Sequence, residues 1–277
     1  MNWQEKTAVI TGAGGILLGA FAVELAKKGT KVAVLDRDYE HAKETVDTIK
    51  KSGGTAMAYA CDVLDKSSLI KTEEQVYKDL GNYHILINGA GGNSDKANTT
   101  SEFFNETDLD NPDARSFFSL DASEVQKVFE LNFLSALLTT QVFAKRMLDL
   151  KSATIINVSS MSAFSPLTKV LGYSAAKAAI NNLTEWLAVH FANKNIRVNA
   201  IAPGFFVTRQ NRNLLKNPDG SLTPRSHKII SHTPMGRFGE VEDLFGTFFW
   251  LCDEEASAFV SGTVIPVDGA FNAYSGV

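Results

Sequence analysis

A short apolar strand, a glycine-rich turn and a helix open the chain, and this order limits its folds more than any other feature. Residues 7–10 (TAVI) predict a buried strand, and an apolar helical pattern covers 20–28. Between them lies the turn Thr11-Gly12-Ala13-Gly14-Gly15-Ile16-Leu17-Leu18-Gly19. Glycines at a strand-to-helix turn let a phosphate approach the backbone, so the order predicts a pyrophosphate site at the helix N-terminus.

Strand and helix patterns then alternate along the chain. Further strands are predicted at 31–35, 55–60, 84–87, 154–158, 197–202 and 263–267. Helices are predicted at 39–52, 66–80, 123–148, 173–192 and 240–252, with Ser123 as an N-cap. Alternation of this kind predicts an α/β fold, a doubly wound parallel sheet of about seven strands with helices on both faces. One domain is expected to span residues 1–277.

The ends of the predicted strands carry groups suited to a nucleotide. Asp36 ends the second strand, 24 residues after Gly12, where an acid can accept a hydrogen bond from an adenosine ribose. A second run of small residues, Asn88-Gly89-Ala90-Gly91-Gly92, follows the fourth strand. Ligands bind at this edge of open parallel sheets. The alternative is a structural turn with a surface aspartate.

Acid–base chemistry is indicated by Ser160, Tyr173 and Lys177. The tyrosine and lysine are one helical turn apart, so their side chains share a face. A lysine ammonium there is expected to lower the pKa of the tyrosine from its usual value of about 10. Ser160 could hydrogen-bond the same substrate oxygen, which suits the interconversion of a ketone and an alcohol. Alone, a Tyr-x-x-x-Lys helix or a serine after a strand is more often structural.

Two irregular segments interrupt the pattern. The first, at about 92–121, carries seven acids, two bases and two phenylalanine pairs, and is expected to be a lid or an oligomer contact. The second, at about 205–235, is basic, holding three arginines (Arg209, Arg212, Arg225) and two histidines, and suits either an anionic substrate or plain solvation. Asn132 lies inside a predicted helix, where a buried amide needs partners.

Composition excludes several classes. The net charge of −4 without a basic block argues against nucleic acid or an anionic membrane as partner. Two cysteines form neither a disulfide framework nor a metal cluster, and no metal is predicted. The first residues lack the layout of a signal peptide, and no apolar run is long enough to span a membrane. A cytoplasmic setting is expected.

Together these motifs resemble the short-chain dehydrogenase/reductase family over nearly the whole chain. More narrowly, the sequence is similar to the D-mannonate oxidoreductases of this family, also called fructuronate reductases. Gluconate 5-dehydrogenases look similar over much of the chain. The narrower likeness lies in Asn88–Asn93 and the insertion after it, in Leu131–Leu134, Pro203–Phe206, Gln210–Arg212 and His232–Gly239, and in the end Ala273–Val277.

The resemblance implies a Rossmann-like fold, a nicotinamide cofactor, a homotetramer and a sugar acid as substrate. It implies that hydride reaches the substrate ketone, that Tyr173 supplies the proton, and that Ser160 stabilises the charged oxygen. Lys177 would hold the nicotinamide ribose, and Asn132 would position a water. NAD(H) is preferred because Asp36 repels a 2′-phosphate, although the adjacent Arg37 leaves NADP(H) open.

Remaining site residues follow from the same likeness. Cofactor contacts are expected from Gly12, Gly14, Gly15, Ile16, Leu17, Asp36, Arg37, Asp62, Val63, Asn88, Ala90, Gly91, Tyr173, Lys177, Pro203, Gly204, Phe206 and Thr208. Arg212 is the candidate for a substrate carboxylate, with Asn93 and Asn211 for its hydroxyls.

One departure from the family pattern concerns the glycine turn. Ile16 and Leu18 occupy positions where the family usually has glycine. This puts the cofactor contact in question, and it is the only support for a different class of function, a dinucleotide-binding sensor without turnover. The intact set of Asn132, Ser160, Tyr173 and Lys177 argues against that alternative.

Overall fold

A seven-stranded, fully parallel sheet forms the centre of the computed structural model, which describes residues 2–208 and 211–276. Its strands are β1 (Thr7–Thr11), β2 (Lys31–Asp36), β3 (Ala56–Ala60), β4 (Ile85–Asn88), β5 (Ala153–Val158), β6 (Ile196–Pro203) and β7 (Val264–Val267). The order across the sheet is β3-β2-β1-β4-β5-β6-β7. The predicted doubly wound α/β fold is confirmed, and β1 and β4 are neighbours at the point where the winding reverses.

Helices cover both faces of the sheet. They are α1 (Ile16–Lys27), α2 (Tyr39–Lys51), α3 (Lys66–Leu80), α4 (Ala122–Phe129), α5 (Ser135–Met147), α6 (Leu171–His190), α7 (Arg212–Leu215), α8 (Pro224–Ser231) and α9 (Phe245–Cys252). Because successive strand residues point to opposite faces, Val9 joins one core with α3, α5 and α6, while Ala8 and Ile10 join the other with α1, α2 and α9. Burial on both faces explains why the strands are almost continuously apolar.

The expected helix from 123 to 148 is wrong in two respects. Asp121, not Ser123, is the N-cap, since its Oδ1 accepts the Ser123 amide at 2.8 Å. A π-helical turn at Glu130–Leu134 then separates α4 from α5. Turns of this kind add a residue to the helix and occur frequently at functional sites.

Other boundaries differ less. α1 begins at Ile16, four residues before the predicted start, and a 3-10 turn at Val241–Leu244 precedes α9. The segment 205–235 is not fully irregular, because α7 and α8 lie in it. No helix among residues 2–208 and 211–276 is long and apolar enough to cross a membrane.

Candidate active site

The predicted site residues gather at one edge of the sheet because all seven strands are parallel. Their carboxyl ends lead into the two glycine runs, Asp36, Asp62, Ser160 and Pro203-Gly204. The Tyr173 helix, α6, packs against β6 and against the loop after β5. The residues predicted for a nucleotide site and those predicted for an acid–base site therefore share this edge.

Thr11 joins the two glycine runs. Its hydroxyl oxygen accepts the amides of Gly89 at 3.0 Å and Ala90 at 3.2 Å. Gly12 has a φ of +69°, and a Cβ there would lie 3.0 Å from the Ala90 backbone. Only glycine satisfies both constraints, so the turn brings the backbones of β1 and β4 together at the switch point.

The open end of α1 fits a dinucleotide. The Gly19 amide bonds to the Gly15 carbonyl, which leaves the amides of Ile16 and Leu17 at the helix end without intrahelical partners. Asp36 is half-buried beside this turn, and its Oδ2 accepts the Gly14 amide at 3.0 Å. A Cβ on Gly14 would lie 2.9 Å from that oxygen. The turn thus offers backbone donors for phosphates and a fixed carboxylate for a ribose.

Leu18, which stands where the family has glycine, is accommodated by Gly89. The side chain of Leu18, a residue of α1, is buried in the core, and a Cβ on Gly89 would lie 2.5 Å from the Cγ of Leu18. Leu18 therefore points away from the open helix end, while Ile16 stays exposed at the first helical position. The departure leaves the backbone cradle intact.

The remaining adenine-side residues differ in their exposure. Asp62 is exposed after β3 and accepts the Leu64 amide at 2.9 Å, whereas Val63 is buried. Arg37 is exposed beside Asp36. The side chain of Asn88 is buried, and its Nδ2 donates to Thr140 and Asn157. Any contact of Asn88 with a cofactor would come from its backbone.

Asn132 fixes the second glycine run. Its Nδ2 donates to the carbonyls of Gly92 at 2.6 Å and Val128 at 2.7 Å, and its Oδ1 accepts the Gly92 amide at 3.2 Å. A Cβ on Gly91 would lie 2.7 Å from that Oδ1 and 3.3 Å from Nζ of Lys177. Both amide hydrogens of Asn132 are used in holding backbone, so its evident role is to position Gly91 and Gly92 beside Lys177.

Ser160 and Tyr173 are the residues predicted to act as an acid–base pair, and they lie together. Ser160 caps the 3-10 turn Met161–Ala163, and its hydroxyl interacts with the Tyr173 phenol. Burial raises the pKa of Tyr173, and the hydrogen bond with Ser160 opposes that rise. Tyr173 is therefore held as a neutral phenol, the form that can donate a proton.

Lys177 does not lower the Tyr173 pKa as predicted. Its Nζ donates to the Val158 carbonyl at 2.8 Å and lies 5.5 Å from the centre of the Tyr173 ring. Burial lowers the pKa of Lys177 itself to about 8. The reason is that a neutral carbonyl replaces only part of the hydration that a buried ammonium loses.

The loop after β6 is built around Asn211. Its Nδ2 donates to the Phe206 carbonyl at 2.8 Å and its Oδ1 accepts the Thr208 amide at 2.7 Å. Gly204 packs on Asp268, where a Cβ would approach to 2.6 Å. Asn211 therefore stabilises the proposed cofactor loop from Pro203 to Thr208, and its predicted role with substrate hydroxyls stays a prediction.

The other substrate candidates are at the surface. Arg212 is exposed as the first residue of α7, and Asn93 is exposed with its Nδ2 donating to Asn98 at 3.3 Å. Arg209 and Gln210, which precede α7, and Val277 at the chain end lie outside the described residues.

The insertion at 92–121 is held by its own backbone and by neighbouring segments. Arg115 donates to the carbonyls of Asn98 at 3.1 Å and Asp95 at 3.0 Å, and Lys228 pairs with Glu102. The Thr99 amide donates to Lys169, just before α6. Its aromatic side chains face outward, as Phe103 is 82% exposed and Phe118 72%. The lid and oligomer-contact hypotheses both stay predictions.

Three groups near the reaction site escaped sequence reasoning. Thr11 stands out in the sequence only as part of a motif, Val158 contributes a backbone carbonyl without any side-chain signal, and Ser162 donates to Ser160. The Ser-x-Ser sequence at 160–162 was the one usable signal, since serine often accepts the amide two residues later. Among the described residues, no group of three His, Cys, Asp or Glu side chains could hold a metal ion.

Comparison with known proteins decides the family. A family profile described as short chain dehydrogenase matches residues 6–219. The chain belongs to the short-chain dehydrogenase family. It is therefore an oxidoreductase that acts on alcohol and keto groups.

Individual relatives span the full chain. An uncharacterised oxidoreductase UxuB of Bacillus subtilis is 54% identical, covering 100% of this chain and 98% of its own. The solved structure of a candidate D-mannonate oxidoreductase from Haemophilus influenza, with bound NAD, is 51% identical with a TM-score of 0.92, covering 98% and 96% of the two chains. A candidate 2-deoxy-D-gluconate 3-dehydrogenase from Agrobacterium tumefaciens, with bound NADP, is 32% identical with a TM-score of 0.78, covering 97% of each.

Proposed function

We propose that this short-chain dehydrogenase interconverts a keto sugar acid and its hydroxy acid, D-fructuronate and D-mannonate, with NAD(H). The observation that supports it most is the pairing of Ser160 with a neutral Tyr173 at the edge of the sheet where β5 ends. The protein is also similar over nearly its whole length to a candidate D-mannonate oxidoreductase with bound NAD. NAD(H) is preferred because Asp36 presents its carboxylate beside Gly14, where a 2′-phosphate would be repelled.

In the reductive direction, Tyr173 Oη gives its proton to the ketone oxygen as negative charge develops there. Ser160 donates a hydrogen bond to the same oxygen and stabilises the charge. When bound, the nicotinamide supplies the hydride. Lys177, mostly protonated at pH 7 with a pKa of about 8, adds positive charge to the site and holds the nicotinamide ribose. Asn132 keeps Gly91 and Gly92 in place beside it.

The carboxylate of a sugar acid requires a cation or amide donors. Arg212 is proposed for this role because its guanidinium is exposed at the start of α7, immediately after the loop that Asn211 fixes. Arg212→Ala is expected to raise KM for a carboxylated sugar with little change in kcat. Lys216→Ala, four residues on, serves as a matched control, and an unchanged KM in Arg212→Ala would contradict the role.

The decisive experiment follows NADH absorbance with D-fructuronate, with NADPH run in parallel. Tyr173-dependent oxidation of NADH is expected, and Tyr173→Phe should abolish it while keeping NADH binding in a thermal-shift assay. Turnover by Tyr173→Phe at the wild-type rate would refute the catalytic assignment. Light scattering on the same sample checks the proposed homotetramer.

The alternative is a second sugar acid, as in a gluconate 5-dehydrogenase or another sugar dehydrogenase of the family, and the chain is also similar to a candidate 2-deoxy-D-gluconate 3-dehydrogenase. If D-fructuronate is not reduced although NADH binds, 5-ketogluconate and related keto sugars are the next substrates to test. NADH binding without turnover of any of them would favour the sensor.

A further inference from the structure

The Ser160 hydroxyl oxygen accepts two hydrogen bonds from a single neighbour, Ser162. The Ser162 amide donates to it at 3.2 Å and the Ser162 hydroxyl at 3.0 Å. Ser162 is only 1% exposed, so water does not compete for these bonds. The contact lies inside the 3-10 turn Met161–Ala163, which fixes the distance between the two side chains.

These two bonds determine what Ser160 can do. A serine hydroxyl has two acceptor lone pairs and one proton to donate. Ser162 occupies both lone pairs of the Ser160 hydroxyl oxygen. Only the hydroxyl proton of Ser160 is then left for a further hydrogen bond, either to the Tyr173 phenol or to a substrate oxygen. Without the Ser162 hydroxyl the amide bond remains but one lone pair is freed, so Ser160 could also accept there, and its donation to the reacting oxygen would no longer be its one free valence.

We propose that Ser162 is a positioning residue that holds the Ser160 hydroxyl as a hydrogen-bond donor toward the substrate oxygen. The inference rests on the proposed catalytic role of Ser160. Ser162, Ser160 and the reacting oxygen then form a series of donors that run in one direction, and hydrogen bonds arranged so polarise and strengthen one another. The strengthened hydrogen bond is the one to the substrate oxygen, on which negative charge grows during reduction.

A cavity of about 380 Å³ behind Ser162 allows the proposal to be tested with conservative variants. Its lining includes Ser162, Ala163, Val170 and Ser174, and none of Ser160, Tyr173 and Lys177. Ser162→Thr keeps the hydroxyl and adds one methyl group beside this cavity. Ser174 supplies a matched control, since it is also buried and its hydroxyl has no hydrogen-bond partner in the described structure.

The test measures kcat and KM with NADH and D-fructuronate in five variants: Ser162→Ala, Ser162→Thr, Ser174→Ala, Ser160→Ala and the double variant of 160 and 162. Ser162→Ala is expected to lower kcat about 10-fold, the effect of one hydrogen bond acting indirectly, with KM within twofold. Ser162→Thr should recover most of that loss, and Ser174→Ala should match the wild type. In the Ser160→Ala background, loss of Ser162 should cost nothing further.

Each contrary result has a separate meaning. An equal 10-fold loss in the Ser160→Ala background, or no recovery in a well-folded Ser162→Thr, would overturn the inference while leaving the catalytic assignment standing. Full activity in Ser160→Ala would overturn both.

A structural measurement needs no substrate at all. In crystals of Ser162→Ala, Ser160 Oγ is expected to occupy more than one rotamer, against a single rotamer in the wild type. One unchanged rotamer in the variant would contradict the proposal, whichever ketone the enzyme reduces.

Discussion

The buried ammonium of Lys177 should make the protein's stability depend on pH in a characteristic way. Lys177 is 4% exposed, and burial lowers its pKa from 10.5 to about 8. Between these two values the unfolded chain binds the proton and the folded protein does not. The free energy of unfolding contributed by this group therefore rises as the pH rises from 8 to 10.5. Below pH 8 both states are protonated, and the burial penalty applies in full.

The magnitude follows from the shift of about 2.5 pKa units between 10.5 and 8, which corresponds to about 3 kcal/mol. Most of this, about 2–3 kcal/mol, should be recovered between pH 7 and pH 10, since the unfolded lysine is still mostly protonated at pH 10. Lys177→Met removes the titration but keeps the apolar stem. It also leaves the Val158 carbonyl without its donor, which costs about 1 kcal/mol at every pH.

The assay is urea unfolding followed by tryptophan fluorescence, without cofactor and at one protein concentration, because binding and assembly shift apparent stability. The free energy of unfolding of the wild type minus that of Lys177→Met should increase by about 2–3 kcal/mol from pH 7 to pH 10. Taking the difference cancels tyrosines and cysteines that titrate in the same range. Lys71→Met, at an exposed lysine of α3, is the control for loss of any lysine. A difference that stays flat over this range would show that water reaches Nζ and would refute the reasoning.

Three further outcomes are expected. Reductive kcat/KM should fall above about pH 8, because Lys177 loses its proton there while burial keeps the Tyr173 pKa raised; a level profile to pH 9.5 would argue against a cationic Lys177. Asp36→Ala should raise the use of NADPH relative to NADH in parallel assays, and an unchanged preference would remove Asp36 as the selector. Asn132→Ala should lower the free energy of unfolding by about 1–3 kcal/mol and weaken NADH binding, since the amide and the carbonyl of Gly92 both lose their hydrogen bonds to Asn132. Unchanged NADH affinity would contradict the positioning role.

The strands could be predicted closely because burial on both faces leaves a plain signal. All seven strands begin and end within one residue of the predicted positions. For example, the strand predicted at 154–158 is β5, which spans Ala153–Val158. The helical spacing of apolar residues did not indicate the break near Asn132, because the apolar pattern continues through the π-helical turn there. Periodicity alone does not report that the Asn132 side chain turns inward to hold Gly92.

Electrostatic expectations failed where they depended on desolvation. Sequence spacing places Lys177 one turn from Tyr173, but it does not reveal that Nζ is directed to the Val158 carbonyl in a buried site. The same holds for Asn88 and Asn211, whose positions follow from the motifs. Their amide groups serve the protein's own side chains and backbone, a choice decided by tertiary contacts.

The unusual glycine turn illustrates how distant positions compensate each other. Read along the sequence, Leu18 replaces a glycine in a phosphate-binding turn and suggests a damaged site. In the fold, its side chain occupies the space beside Gly89, and the Thr11 hydroxyl accepts the Gly89 and Ala90 amides. The bulk of Leu18 therefore goes into the core that α1 shares with the sheet, and the amides of Ile16 and Leu17 stay at the helix end. Because the donors for a pyrophosphate are backbone groups, the side chains around them can change as long as the backbone path is kept, and here Gly12, Gly14 and Gly89 keep it.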